Sequence, residues 1–268
     1  MPTAGVDQTH GRRITIEATP EHEEWATSLA EKLDVMLQPP QQPTQPQPAF
    51  RLAVSDAGYT VSWRVGDAEE EQRLHLDWCS GRPGADPIVR AVGGASRARA
   101  WTVIDATAGL GADAVAMARA GFRVTLIERD PLLFELLNDA RDRSLVCATA
   151  AMDTFAERIN ILQGDARTVL ASVTPRPDVV YLDPMYPQPQ GKGGAKRQGA
   201  SFLRAWLGEK GEDAALGEEE LLAIARRVAQ HRVVVKRPLR APAIAKGVTG
   251  ALRGSTTRFD LYPVTENS

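Results

Sequence analysis

Four acidic residues stand where an α/β chain does its chemistry. Asp105 closes the apolar run 101–105, Glu128 closes 123–128, Asp165 closes 158–165, and Asp183 stands at the end of 178–184. Each run carries β-branched residues and reads as a strand with an acid at its carboxyl end. In one parallel sheet those ends share an edge, and open α/β folds bind ligands in the crevice at that edge. Asp105 is followed by Ala106-Thr107-Ala108-Gly109-Leu110-Gly111-Ala112-Asp113. This is a tight turn in which Gly109 and Gly111 free the backbone and admit a ligand without a Cβ in the way. Asp113 then opens a helix. Glu128 lies far enough beyond the turn to accept hydrogen bonds from ribose hydroxyls, as in dinucleotide folds. A dinucleotide is nevertheless disfavoured: Met117 stands further on where a third glycine would be expected, and the Asp105 carboxylate would repel a pyrophosphate.

An acidic edge suits a cationic ligand without phosphate. S-adenosylmethionine, with its sulfonium, its ammonium and its ribose hydroxyls, matches that edge. Asp183-Pro184-Met185-Tyr186 resembles the Asn/Asp-Pro-Pro-Tyr/Phe motif of methyltransferases that act on exocyclic amines of bases, with Met185 replacing the second proline. Such an amine is a poor nucleophile because its lone pair is delocalised into the ring. Acceptors for its two hydrogens, here the Asp183 carboxylate and the Pro184 carbonyl, would favour a pyramidal nitrogen, and Tyr186 could stack on the extruded base. Asp183, Pro184 and Tyr186 are therefore the expected catalytic residues.

The elements needed to position these groups can be traced along the chain. Residues 13–17 read as a short strand and 20–37 as an amphipathic helix with Trp25, Leu29, Leu33, Met36 and Leu37 inward. A Pro/Gln linker at 38–48 follows, then a hairpin from 50–54 and 59–65 around Asp-Ala-Gly, and a strand at 74–78. Residues 1–80 are taken as a small α/β appendage and 81–268 as the main domain. The Gly-rich turn and short helix at 80–94, with Ile88, Val89 and Val92, either joins the two or covers the ligand turn through Arg82 and Asp86. Helices are expected at 112–120, at 131–147 behind an Asp130-Pro131 start with Leu132, Leu136 and Leu137 inward, and at 218–231. A Gly/Lys-rich loop is expected at 188–199, a fifth strand at 232–236 and a last one at 258–262. Strands alternating with helices imply a doubly wound, mostly parallel sheet.

The chain has 268 residues, 43% hydrophobic and 25% charged, with a formal net charge of −2 from 32 Lys+Arg against 34 Asp+Glu. That balance gives no general attraction to nucleic acid, so any such surface must be local. Cys79 and Cys147 are the only cysteines, which argues against a disulfide framework and fits a reducing compartment. His10, His22, His75 and His231 show no metal-ligand spacing, and no metal is expected. No run approaches the roughly 20 apolar residues of a membrane span, and the first residues lack an apolar signal region. A soluble, cytoplasmic protein is expected.

Five stretches, Asp105–Asp113, Leu126–Pro131, Asp178–Pro187, Val233–Pro238 and Arg258–Tyr262, together resemble the RsmJ family. These are bacterial small-subunit ribosomal RNA guanine-N2 methyltransferases that use S-adenosylmethionine. The resemblance covers about residues 74–263 and implies a Rossmann-like class I methyltransferase fold. It also implies a guanine of 16S ribosomal RNA as target, in the small ribosomal subunit or a late assembly particle. It assigns cofactor contacts to Ala112 and Asp113, Glu128 and Arg129, Asp165 and Ala166, and Asp183, beside Asp105, Gly109 and Gly111 from the turn. Ala112 stands where the family usually has a basic residue. Lys192, Lys196, Arg197, Lys236 and Arg237 are the expected RNA contacts. An adenine or cytosine N-methyltransferase would share Asp183–Tyr186, and a non-catalytic ribosomal RNA-binding assembly factor could use the same fold.

Overall fold

The structure is a computed structural model that describes residues 14–35, 37, 50–64, 71–80, 87–147, 154–184, 194–208 and 213–265, with backbone alone at 194–197 and 213–216. The chain divides into two compact units, 1–76 with 193–207, and 77–192 with 208–268. The helix after the Asp183 loop therefore belongs with the N-terminal unit, against the expectation of one continuous domain from residue 81.

In the first unit, β1 (Ile14–Ala18) runs parallel to β2 (Phe50–Ser55), which forms a hairpin with β3 (Gly58–Trp63), and β4 (Gln72–His75) adds an antiparallel edge. A 3-10 turn at Pro20–His22 leads into α1 (Glu23–Leu33), shorter than the sequence suggests. Asp34 adopts a left-handed conformation and donates its N–H to the Ala30 carbonyl, which ends the helix before Met36 and Leu37. The buried face is Ala26, Leu29 and Ala30, so Trp25 lies off its stripe, 42% exposed, with its ring 5.2 Å from that of Tyr59. Part of the expected Gly/Lys loop is helical instead, because α6 (Gly194–Leu207) carries Phe202 and Trp206 four residues apart on one face. Both rings pack on Phe50, Trp206 edge-on at 4.9 Å. That apolar pair stabilises a helix that its glycines alone would disfavour.

The second unit holds a seven-stranded sheet. In chain order its elements are α2 (Pro87–Val92), β5 (Thr102–Asp105), α3 (Ala112–Arg119), β6 (Arg123–Glu128), α4 (Pro131–Cys147), β7 (Ile159–Gln163), α5 (Ala166–Ser172), β8 (Val179–Leu182), α7 (Asp213–Val228), β9 (Arg232–Pro238), β10 (Gly250–Arg253) and β11 (Thr257–Pro263). Strand order is β7-β6-β5-β8-β9-β11-β10, with the first five parallel and β11 and β10 antiparallel. β10, a four-residue Gly-Ala-Leu-Arg strand alternating between half-buried and exposed, was not legible in the sequence. The β8 residues Val179–Leu182 and the β9 residues Val233–Val235 are all buried, the continuous apolar pattern of strands covered on both faces. Leu170 of α5 and Leu222, Ala225 and Ala229 in and just after α7 cover one face. The Asp130 carboxylate accepts the Leu133 N–H at the start of α4, and Leu132, Leu136 and Leu137 are buried.

The chain leaves β5 toward β6 and β7 on one side and returns to β8 and β9 on the other. This reversal opens a crevice beside the carboxyl end of β5. The turn there is tight for a reason other than ligand access. Gly111 has φ +74°, and a Cβ built on it would lie 2.5 Å from the Trp78 indole and 3.0 Å from Leu137. The Trp78 Nε1–H donates to the Leu110 carbonyl at 3.4 Å, so the indole closes over the turn. Gly111→Ala should therefore destabilise the protein by at least about 2 kcal/mol, adding left-handed strain to overpacking. Urea unfolding checks this, and a midpoint equal to wild type would mean that Trp78 gives way freely.

Candidate active site

Strand register assembles the site. Asp105 pairs with Tyr181 across β5 and β8, and Leu182 pairs with Val235 across β8 and β9, which sets Asp183 opposite Lys236. Side chains alternate along a strand, so Tyr181 and Asp183, two apart, share a face with their cross-strand partners. Lys236 Nζ lies 2.7 Å from Asp113 Oδ2 and 2.8 Å from Asp183 Oδ2. The Tyr181 hydroxyl donates to the same Asp113 oxygen at 2.5 Å. Thr107, from the glycine turn, accepts the Asp183 N–H on its Oγ1 at 2.6 Å and donates its own N–H to Asp105 Oδ1 at 3.1 Å. Asp105, Asp113 and Asp183 thus lie together, and Pro184 is buried beside them. Thr107, Tyr181 and Lys236 complete the cluster without having been read as part of it. Period two from Asp183 pointed to Tyr181, and the cation ending Val233–Val235 pointed to Lys236.

The other expected residues divide. Glu128 ends β6, one strand over from Asp105, and its Oε1 accepts the Asp130 N–H at 2.9 Å. Gly109 and Gly111 form the turn, Ala112 is exposed at the start of α3, and Arg129 is exposed beside Glu128. Asp165 caps α5, and its carboxylate is taken up by Arg167, which also pairs with Glu220. Ala166 follows it in the first turn of α5. Two of the expected RNA contacts are displaced. Lys236 lies among the carboxylates rather than on an outer face, and Arg237 is 4% exposed, pairing with Glu218 and donating to the Pro242 carbonyl. Both sit on a strand whose flanks are covered, which a run of basic residues does not reveal. Tyr186 and Lys192 lie outside the described residues, as do the side chains of Lys196 and Arg197.

Charge is unevenly distributed in this cluster. Burial, with the nearby Asp113 and Asp183 carboxylates, raises the Asp105 pKa to about 8 against the Thr107 N–H and Lys236. Burial also raises Glu128 to about 7, opposed by the N–H groups of Asp130, Arg129 and Gly109. Burial raises Asp183 too, with Lys236 opposing and Asp113 reinforcing. For Lys236 burial works against the charge, but the Asp183 and Asp113 carboxylates prevail and hold its pKa above the ordinary value. The Tyr181 hydroxyl, fully buried among acids, stays a phenol.

These shifts have a stability consequence. An acid raised in the folded state binds more protons folded than unfolded between its two pKa values, so stability falls as pH rises through that window. For Asp105 the window runs from its ordinary 3.8 to about 8. Asp105→Asn keeps an acceptor for the Thr107 N–H and removes the titration. Relative to wild type, it should gain up to about 1.4 kcal/mol per pH unit between roughly pH 5 and 8. Urea midpoints across that range check this, and parallel pH dependences for the two proteins would remove Asp105 from the account.

Comparison with known proteins agrees with this arrangement. A family model described as "Putative SAM-dependent methyltransferase" matches residues 64–264. The ribosomal RNA small subunit methyltransferase J of Alkalilimnicola ehrlichii is 36% identical over 273 residues, covering 96% of this chain and 97% of the relative. That of Thioalkalivibrio sulfidiphilus is 37% identical, over 76% of this chain and 82% of the relative. A crystal structure of a SAM-dependent methyltransferase from Neisseria gonorrhoeae is 30% identical and covers 95% of this chain and 98% of its own, with a TM-score of 0.65. The switch-point crevice and its acids thus lie on a Rossmann-like class I methyltransferase fold, and the chain belongs to the ribosomal RNA small subunit methyltransferase J family of SAM-dependent methyltransferases.

Proposed function

We propose that this protein transfers a methyl group from S-adenosylmethionine to the exocyclic N2 of a guanine in 16S ribosomal RNA. The substrate is the small ribosomal subunit or a late assembly particle, in the cytoplasm. The observation that carries this reading is Asp183-Pro184 at the switch point, in a cluster where, among the described residues, Lys236 is the one cation beside Asp105, Asp113 and Asp183. Three carboxyl groups about one ammonium leave room for further positive charge, which fits a sulfonium and an ammonium and disfavours a phosphate. Glu128, buried at the end of the neighbouring strand, fits a pair of ribose hydroxyls.

S-adenosylmethionine supplies an electrophilic methyl group when bound. The protein's part is to prepare the nucleophile. The Asp183 carboxylate accepts one amine hydrogen and the Pro184 carbonyl the other, which turns the nitrogen lone pair out of conjugation. As the new N–C bond forms, the donor's S–CH3 bond breaks, leaving a neutral thioether. The nitrogen becomes positive and passes one proton by way of the Asp183 carboxylate to water, and that carboxylate stabilises the developing charge. The half-buried strand end strengthens this interaction relative to water. Tyr186 is assigned to stacking on the extruded base, and Lys192, Lys196 and Arg197 to backbone phosphates.

Mass spectrometry of 16S ribosomal RNA nucleosides from a strain lacking the gene, with and without re-expression, tests the reaction. N2-methylguanosine should disappear and return; an unchanged level sinks the proposal. Asp183→Ala should lower kcat by roughly 10²–10³ with little change in RNA affinity, as for loss of one preorganised polar group. Single-turnover methylation at saturating cofactor and RNA reads this, and near-normal rates would exclude the amine-orienting role. Glu128→Ala should weaken S-adenosylmethionine binding roughly 10- to 150-fold, from charge-assisted bonds of about 1.5–3 kcal/mol. Calorimetric titration reads that loss, and an unchanged affinity takes Glu128 out of the site.

A further inference from the structure

Lys236 is the one basic side chain seen to pair with Asp113 and Asp183 among the described residues, and it reaches both from the adjacent strand at 2.7 and 2.8 Å. Its two partners are not equivalent. Asp113 Oδ2 also receives the Tyr181 hydroxyl, so it is held from two directions and anchors the ammonium. Asp183 is held through its backbone by Thr107 and through Oδ2 by Lys236. Among the described residues its Oδ1 has no donor.

We infer that Lys236 is a positioning residue for methyl transfer: it clamps Asp183 by one oxygen as an ionised carboxylate, leaving the other oxygen to accept the substrate amine. This rests on the proposed reaction. The groups facing Asp183 are Asp105 from the end of β5, Asp113 from α3, Tyr181 from β8 and Lys236 from β9. Remove the ammonium and Asp183 stands beside two other carboxyl groups in a half-buried site. Like charges at such range cannot all ionise, and one proton is taken up by the group. A protonated Asp183 would present an O–H donor to an amine that itself carries donors, so the acceptor needed to turn the lone pair is lost. The same lysine does not help to bind the cofactor, because a fixed cation repels a sulfonium.

Lys236→Met and Lys236→Arg separate these roles. For Lys236→Met, kcat should fall roughly 10²-fold at pH 7 and recover with rising pH as the acid cluster ionises, while the wild-type rate stays flat over that range. Its S-adenosylmethionine affinity, by calorimetry, should be unchanged or tighter. Lys236→Arg keeps the charge and should retain most of kcat and the flat profile. A Lys236→Met enzyme with wild-type kcat and pH profile overturns the inference, as does one whose main defect is weakened cofactor binding. Should Lys236→Met fail to fold, infrared difference spectra of wild type against Asp183→Asn decide. No protonated-carboxyl band should be assigned to Asp183 at pH 7, and its presence overturns the inference. Wild-type transfer to small-subunit RNA is the control: if it is absent the proposed reaction fails, and the cofactor-affinity and infrared arms still judge Lys236.

Discussion

One ammonium group, that of Lys236, holds the acids at the carboxyl end of the sheet together. Bringing Asp105, Asp113 and Asp183 to one strand edge is unfavourable, since each gives up water and meets like charge. Lys236 offsets part of that cost by bridging two of the three, and the Tyr181 hydroxyl satisfies a further lone pair. Such a network stabilises only when fully connected, and deleting its centre typically costs about 3–5 kcal/mol because a charge is left buried and unpaired. Its value lies in geometry. Its members come from four elements, β5, α3, β8 and β9, so the network fixes the relative register of those elements.

The glycine turn is the second constraint, and it belongs to packing as much as to ligand binding. Trp78 fills the space a Cβ at Gly111 would take, and Arg119 of α3 donates to the Trp78 carbonyl at 2.6 Å. The segment before α2 is thereby fastened to both ends of α3, which carries Asp113. A glycine read as an opening for a ligand is here a seat for an indole. Thr107 then ties the same turn to the Asp183 backbone, so turn and strand end move as one piece.

Much of the parallel sheet was legible because its strands are buried on both faces and read as unbroken apolar runs, and the acids that end them are read from the same pattern. What failed was tertiary in origin. The helix Gly194–Leu207 was read as a loop because Gly and Lys dominate its start, whereas its helical state follows from Phe202 and Trp206 meeting Phe50, some 150 residues earlier in the chain. Trp25 was read inward because it sits one residue from the true stripe. Lys236 and Arg237 were read as an RNA surface because charge in a sequence says nothing about cover. A strand between two others can carry a buried cation only where acids await it, and those acids lie 53 and 123 residues away.

The same chemistry is sorted into different states by its surroundings. Asp105 and Glu128, raised to about 8 and about 7 by burial, hold protons near neutrality. Asp183 is raised by burial as well, but there the Lys236 ammonium opposes the shift. Pushing apart the charge states of like groups is how a fold assigns one residue type to several tasks. Asp183, one of the two acids held by Lys236, is the one the proposed reaction requires as an acceptor, while Asp105 and Glu128 are those a cationic ligand carrying ribose would draw into their charged form. A cofactor that arrives with positive charge would therefore finish the electrostatics that the protein alone leaves incomplete.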